Sequence, residues 1–163
     1  MNRPKRILLV EDSARDAELI LGALDAHQLA GEVIHLRDGA EALDYLYRRG
    51  AFASRSDTQP ILMLLDLKLP KVDGLEVLRL IKGDAALKMI PVVMMTSSRQ
   101  EQDLIRSYEL GVNAYVVKPM KFQDFVDAVK QVSGFWAMIN EVPEHLHRGP
   151  SAGAQTTSTN AKS

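Results

Sequence analysis

The chain contains 163 residues, of which 46% are hydrophobic and 25% are charged, and its formal net charge is −1. This composition is typical of a soluble globular protein, and the length fits a single domain with a substantial core. A charge so close to zero gives no indication of a nucleic-acid partner or an anionic membrane partner. The chain has no cysteine, which excludes disulfides and thiolate chemistry. The apolar run near the N-terminus, residues 7–10, is too short for a signal peptide or a membrane span, so we expect a cytoplasmic protein.

Short apolar runs alternate with helical patterns along most of the chain. The runs lack the alternation of a sheet with one wet face, which is typical of parallel strands covered on both sides. We therefore predict five strands, at residues 7–10, 33–36, 61–65, 90–95 and 114–117.

A helix-start signal follows four of these strands. In each signal a capping residue stands three positions before an acidic residue, as in a capping box. The four pairs are Ser13 and Asp16, Asp38 and Glu41, Asp73 and Glu76, and Ser98 and Glu101. Each helix is then predicted to end at a glycine, the residue that favours a left-handed C-terminal cap. These glycines are Gly31, Gly50, Gly83 and Gly111. This recurrence in step with the strands indicates a repeating βα unit.

The last predicted helix begins near Phe122 and carries an apolar stripe that fits a core-facing helix. The stripe comprises Phe122, Phe125, Val126, Val129 and Trp136. After Pro143 the composition becomes polar and loses its periodicity, so we expect a disordered tail. We accordingly assign residues 1–140 to the domain and residues 141–163 to the tail, and we interpret His145 and His147 there as solvated side chains.

Five βα units predict an open, doubly wound α/β fold with right-handed crossovers. For five parallel strands in a single domain, we expect the flavodoxin-like strand order 2-1-3-4-5. Ligands of such sheets bind at the carboxyl ends of the strands, beside the point where the strand order reverses.

Polar side chains stand at the carboxyl ends of the first, third, fourth and fifth predicted strands, and these four strands are adjacent in the predicted order. The residues are Glu11 and Asp12, then Asp66, then Thr96 and Ser97, and finally Lys118. Taken singly, each fits a helix cap or a surface charge. A lysine at a helix N-terminus, however, would oppose the helix dipole, so the structural explanation is weakest for Lys118.

Three carboxylates in close proximity would not all stay ionised without a cation. Oxygen ligands without imidazole or thiolate suit Mg²⁺. Lys118 can pair with a carboxylate or a phosphoryl oxygen, and the Thr96 hydroxyl can donate to another oxygen. This set of groups favours phosphoryl transfer, with Asp66 as the nucleophile that forms an aspartyl phosphate.

The segments LLVEDS, LLDLKLPKVDG, VVMMTSS and NAYVVKP resemble the receiver domain of two-component response regulators, and the resemblance extends over residues 5–135. It implies that Asp66 accepts a phosphoryl group from a histidine kinase. It also implies that Glu11, Asp12, Asp66 and the backbone carbonyl of Lys68 bind Mg²⁺. The remaining implied roles are a switch pair, Thr96 and Tyr115, a phosphate-binding Lys118 followed by a cis Pro119, and a loop glycine, Gly74.

Other segments, ALDYLYRRGAF, SRSDTQP, RSYELGVNAYVVKP and GFWAMINEVP, resemble the small stand-alone regulators that pair with bacterial phytochromes. This resemblance implies a phytochrome-type sensor kinase as partner and a homodimer through the fourth and fifth βα units. We expect such a protein to signal by binding other proteins, without enzymatic turnover, nucleic-acid binding or membrane insertion. A candidate docking patch for the kinase comprises Ala14, Ala17, Leu21 and Met120, although Ala17 and Leu21 fit a core-facing position equally well.

Four alternatives carry less weight. A phosphatase of the haloacid-dehalogenase class needs an acid where Lys68 stands, and a P-loop nucleotidase needs a motif that the sequence lacks. A flavodoxin-like redox protein would need a phosphate-binding loop where the acidic stretch EDSARDAE lies. A pseudo-receiver that binds proteins without phosphate is the alternative we keep, although the complete set of site residues disfavours it.

Overall fold

The computed structural model describes residues 5–26, 32–118 and 121–135. Several predicted features lie outside these residues and stay predictions: the tail at 141–163, the cis peptide at Pro119, the docking role of Met120, the cap at Gly31 and the stripe position of Trp136. The side chains of Phe122 and Phe125 belong with them.

Strands and helices alternate along the described residues. The strands are β1 (Arg6–Val10), β2 (Glu32–Leu36), β3 (Leu62–Leu65), β4 (Val92–Thr96) and β5 (Ala114–Val117). The α-helices are α1 (Ala14–Ala26), α2 (Gly39–Tyr47), α3 (Gly74–Gly83), α4 (Glu101–Glu109) and α5 (Phe122–Gly134), and a 3₁₀ turn, Gly50–Phe52, follows α2. None of these helices is long and apolar enough to cross a membrane.

The five strands form one parallel sheet in the order β2-β1-β3-β4-β5. The predicted fold class and strand order are therefore confirmed. The largest shift in a strand boundary is at β4, which begins at Val92 rather than at residue 90. Pro91 has no N–H to donate to a neighbouring strand, so regular pairing begins after it.

The sheet is covered on both faces, because alternate residues of each strand point to opposite sides. Leu8 and Val10 of β1 pack in a core with α2 and α3. Ile7 and Leu9 pack in a second core with α1 and with Val129 of α5. Both cores explain why the strands read as continuous apolar runs.

Three of the four predicted helix starts are confirmed. The carboxylates of Asp38 and Asp73 accept the N–H groups of Glu41 and Glu76, at 2.8 and 3.0 Å. The Ser13 hydroxyl accepts the N–H of Asp16 at 3.3 Å.

The predicted capping role of Ser98 is wrong. Helix α4 begins two residues later than a Ser98 cap requires, and its N-cap, Gln100, makes no side-chain capping bond. The Ser98 hydroxyl instead donates to the carboxylate of Asp103 inside the helix.

The glycine caps are confirmed only in part. Gly111 follows α4 with a φ of 95°, in the left-handed region that glycine favours. Gly83 is the last residue of α3, and the extended cap residue is Asp84. At the end of α2 the left-handed cap is Arg48, whose N–H donates to carbonyls of the preceding turn, and Gly50 opens the 3₁₀ turn that follows.

Candidate functional site

Three carboxylates meet at the carboxyl edge of the sheet. Glu11 and Asp12 follow β1, Asp66 follows the adjacent β3, and one oxygen from each lies within 4.8 Å of the others. Glu11 and Asp66 are buried, whereas Asp12 is exposed. The structure thus brings together the three carboxylates that the sequence predicted as a cation-binding group.

Lys118 reaches this group from the end of β5. Its backbone N–H donates to the carbonyl of Thr96 at 2.8 Å, which fixes the start of the side chain at the end of β4. Its Nζ lies 2.8 Å from Glu11 Oε2 and 3.2 Å from Asp66 Oδ2. The side chain is only 9% exposed. Lys118 therefore pairs with a carboxylate as predicted, and it does so with both Glu11 and Asp66.

A third carboxylate, that of Asp16 in α1, also contacts Lys118, and our sequence interpretation missed it. Its Oδ2 lies 2.8 Å from Lys118 Nζ. In a capping box the Asp16 carboxylate would accept the N–H of Ser13. That N–H donates to Glu11 Oε1 instead, at 3.2 Å, and the Asp16 carboxylate is free to contact Lys118. The available signal was its position in the first turn of a helix that starts at the functional edge of the sheet.

Two opposing effects set the pKa values of the site: burial disfavours the charged forms, and pairing between Lys118 and the carboxylates favours them. Burial raises the pKa of Glu11 to about 7, and the nearby charge of Asp66 adds to the rise, although Lys118 opposes it. Burial alone would lower the pKa of Lys118, but its hydrogen bonds to Asp16 and Glu11 raise that pKa above its ordinary value. One ammonium therefore serves several carboxylates, and the site lacks positive charge.

The donor set fits a hard divalent cation. Three carboxylate oxygens from two adjacent strand ends are the type of ligand that such ions prefer. An imidazole lies nearby, but His35 Nε2 is 2.9 Å from the backbone carbonyl of Glu11 and supports the loop. The N–H of Lys68 lies 3.4 Å from Asp66 Oδ1, while the role of the Lys68 carbonyl stays a prediction.

Gly74 fixes the loop that carries Asp66. Its N–H donates to the carbonyl of Leu67 at 2.7 Å. A Cβ on this residue would lie 2.1 Å from the carbonyl oxygen of Asp66, so no side chain fits. Helix α3 can approach the Asp66 loop this closely only because position 74 is glycine.

The two predicted switch residues both bond to Ser98. Thr96 is buried at the end of β4, and its hydroxyl oxygen accepts the N–H of Ser98 at 3.2 Å. The Tyr115 hydroxyl donates to the carbonyl of Ser98 at 3.1 Å. Because Ser98 also donates to Asp103, it links both switch residues to α4. The sequence signal at Ser98 was misread as a helix cap.

The candidate docking patch on α1 combines core and surface. Ala17 is buried, and Leu21 packs against the same core, so the core-facing interpretation holds for both. Their outer edges, with Ala14, His35 of β2 and Arg37 just after β2, also line an open groove of about 550 Å³.

Comparison with known proteins places these features in a family. Residues 7–130 match the response regulator receiver domain. Response regulator Rcp1 of Synechocystis sp. is 45% identical over 135 residues, which cover 83% of this chain and 90% of that protein. The Mn²⁺-bound structure of Rcp1 has a TM-score of 0.81 at 44% identity, covering 86% of this chain and 99% of that one.

Two further solved structures are similar. The bacteriophytochrome response regulator AtBRR is 58% identical with a TM-score of 0.69, covering 86% of this chain and all of that chain (100%). The phosphorylated cyanobacterial phytochrome response regulator RcpA is 43% identical with a TM-score of 0.81, covering 86% of this chain and 99% of that chain. Since the family match spans most of the chain and its relatives share the whole fold, this chain belongs to the response regulator receiver domain family and is related to the phytochrome response regulators.

Proposed function

We propose that this protein is a single-domain response regulator that accepts a phosphoryl group on Asp66 from a histidine kinase. The observation that carries the proposal is the convergence of Asp66 with Glu11, Asp12 and Lys118 at one edge of the sheet. Asp66 is a carboxylate nucleophile, and the surrounding groups are suited to neutralising a phosphoryl group.

In the transfer step, an Asp66 carboxylate oxygen attacks the phosphorus of a phosphohistidine. A P–O bond forms as the P–N bond breaks, and the imidazole nitrogen keeps the electron pair. The Lys118 ammonium, 3.2 Å from Asp66 Oδ2, donates to a phosphoryl oxygen, and the Thr96 hydroxyl donates to another. The product stays covalently attached to Asp66, so the protein is a phosphoacceptor rather than a turnover enzyme.

Mg²⁺ is the cofactor that we propose for this step, held by Glu11, Asp12, Asp66 and the Lys68 carbonyl. When bound, it would neutralise charge on the transferring phosphoryl group. The fit of the three-carboxylate group supports this assignment, as does the Mn²⁺-bound form of the relative Rcp1.

The signal leaves the site through Thr96 and Tyr115 in this proposal. Phosphorylation adds negative charge and acceptor oxygens at Asp66. When the Thr96 hydroxyl turns to the phosphoryl group, the N–H of Ser98 loses its acceptor and Tyr115 moves into the vacated space. Phosphorylation thereby shifts the equilibrium between two packings of the fourth and fifth βα units.

The proposed kinase is a phytochrome-type sensor, because the similar proteins AtBRR and RcpA are phytochrome response regulators. The groove along α1 is the proposed kinase-docking surface, since His35 in its lining contacts the backbone carbonyl of Glu11. The proposed homodimer uses the exposed apolar side chains of α4, Leu104, Ile105 and Tyr108. We place this signalling in the cytoplasm, without a nucleic-acid or membrane partner.

The test is the intact mass of the protein after incubation with acetyl phosphate, with and without Mg²⁺. We expect a Mg²⁺-dependent phosphate adduct in the wild type and none in Asp66→Asn. Asp73→Asn is the matched control, because it neutralises an exposed acid near Asp66 while asparagine still caps α3. An adduct that persists in Asp66→Asn would place the acceptor elsewhere, and no adduct in the wild type would favour the pseudo-receiver.

A further inference from the structure

We infer that Asp16 is a positioning residue for phosphoryl transfer: it holds the Lys118 ammonium at the site when Glu11 and Asp66 are engaged by a cation. The inference rests on the proposed phosphorylation of Asp66. It concerns the carboxylate of α1 that lies beside the cation-binding group without belonging to it.

The three donors of Lys118 match three acceptors. Its Nζ contacts Glu11, Asp16 and Asp66 at 2.8, 2.8 and 3.2 Å, and the side chain is almost fully buried. A buried ammonium is costly unless its protons are donated to acceptors. Removing one carboxylate therefore leaves a proton of Lys118 without a partner in a place that water reaches poorly.

The three acceptors differ in what else they do. Glu11 and Asp66 are two of the three carboxylates that can hold a divalent cation, and Asp16 is not among them. Lone pairs shared with a divalent cation are weaker acceptors for an ammonium, and the two positive charges repel each other. With a cation bound, Asp16 is the contact that opposes the displacement of Lys118 from the site.

The local structure holds Asp16 ready for this role. Its N–H donates to the Ser13 hydroxyl, and the N–H of Ser13 donates to Glu11 Oε1, so the first turn of α1 is tied to the metal-binding loop. An acidic side chain in the first turn of a helix usually extends into solvent and interacts favourably with the helix dipole. The Asp16 side chain is only 30% exposed and lies against Lys118 instead.

The direct test follows the Lys118 ammonium by ¹H–¹⁵N NMR of the full chain, with its signal assigned from its loss in Lys118→Arg. We expect a slowly exchanging signal in the wild type without metal, with Mg²⁺, and with Mg²⁺ and beryllofluoride. In Asp16→Ala we expect the signal without metal but its loss when Mg²⁺ is added. Asp16→Asn, which keeps a neutral acceptor of the same shape, should restore part of it.

A second arm measures the rate of phosphorylation by acetyl phosphate at saturating Mg²⁺. In Asp16→Ala we expect the adduct still to form on Asp66, but more slowly by a factor of about 10 to 100. The reason is that the Lys118 ammonium, which donates to the phosphoryl group, is misplaced. Glu18→Ala is the matched control, since Glu18 is an exposed acid two residues along α1, and its rate should equal that of the wild type.

Two outcomes would overturn the inference while leaving Asp66 phosphorylation in place. One is a Lys118 signal in Asp16→Ala that Mg²⁺ leaves unchanged. The other is an Asp16→Ala rate within about twofold of the wild-type rate. The absence of any adduct in the wild type would instead overturn the proposed function. The backbone amide spectrum reports whether each variant is folded, and the isosteric Asp16→Asn variant keeps the inference testable if Asp16→Ala unfolds.

Discussion

Glu11 shows at the residue scale how burial changes the charge state of a carboxylate. Its side chain is almost completely enclosed, with Lys118 as its charged partner. Burial raises the pKa of Glu11 to about 7, so near neutral pH a fraction of the metal-free molecules keeps a proton on this carboxylate. A divalent cation binds the ionised form and must displace that proton.

Cation affinity should therefore fall as the pH falls through 7. The raised folded-state pKa also means that, without metal, Glu11 makes the folded state more stable as the pH falls from about 7 toward 4.5, the ordinary value for Glu. Calorimetric titration with Mg²⁺ at pH 6 and pH 8, in buffers of different ionisation enthalpy, checks this expectation. We expect weaker binding with proton release at pH 6. Equal affinity at both pH values would contradict the assignment of Glu11 as a ligand.

Gly74 is a second residue whose surroundings restrict it, because they leave no space for a side chain. We expect Gly74→Ala to lower the free energy of unfolding by about 2–3 kcal/mol, because the added methyl meets the Asp66 backbone. It should also slow adduct formation by displacing Asp66, the proposed phosphoacceptor. Urea unfolding and intact mass measure the two effects.

Gly83→Ala is the matched control for this substitution. Gly83 is also a glycine of α3, but a Cβ there meets nothing within 4 Å. Alanine favours the helix, so stability should stay equal or rise by up to about 1 kcal/mol. Similar losses in both variants would mean that helix α3, and not the contact with Asp66, causes the effect.

At the scale of elements, α4 differs from the other helices. Ser107 is its one buried residue, and Leu104, Ile105 and Tyr108 are exposed. Little apolar burial holds α4 to the sheet, so its stability depends more on polar contacts at its N-terminus. The hydrogen bond from Ser98 to Asp103 is such a contact, and Ser98 also bonds Thr96 and Tyr115, the two proposed switch residues.

We expect Ser98→Ala to loosen α4 in the unphosphorylated protein. A hydrogen bond to a carboxylate contributes about 1.5 kcal/mol or more, so amide exchange in α4 should quicken roughly tenfold. Hydrogen exchange with mass spectrometry measures this, with Ser97→Ala as control, because Ser97 is the exposed neighbour. Equal exchange in the two variants would mean that Ser98 does not stabilise α4.

At the scale of the whole molecule, the two ends of the sheet have different tasks. The carboxyl end holds several carboxylates around the Lys118 ammonium, and it is the proposed site of phosphorylation. At the other end an ion-pair network fixes the loop before β3: Arg6 pairs with Glu32 and Asp57, and Arg55 pairs with Asp57. Arg55 also lies over the Tyr45 ring, 3.9 Å from its centroid.

The proposed homodimer is tested on the same scale. The α4 side chains Leu104, Ile105 and Tyr108 are 38%, 50% and 55% exposed. We expect Ile105→Asp to weaken association by at least about tenfold, because it places a charge within an apolar interface. Sedimentation equilibrium with and without beryllofluoride measures it. Tyr47→Ser, at an exposed apolar position on α2, is the control, and equal association in both variants would exclude this face.

Periodicity in the sequence determined the five βα units and the set of strands with polar ends, because hydrophobic patterning records which faces are buried. The strand order followed from the fold class that five such units predict. The positions of Glu11, Asp12, Asp66 and Lys118 followed from that pattern. The strand boundaries shifted where a local feature such as Pro91 intervened.

Only the tertiary structure showed the contacts of Asp16 and Ser98. Both match a helix-cap signal, which is local and does not show where an unused carboxylate or hydroxyl turns. Asp16 meets Lys118 across 102 residues of sequence, and Ser98 meets Tyr115 across 17. Contacts of this kind depend on how the end of β5 packs beside the starts of α1 and α4, and a pattern within one segment carries no information about that distance.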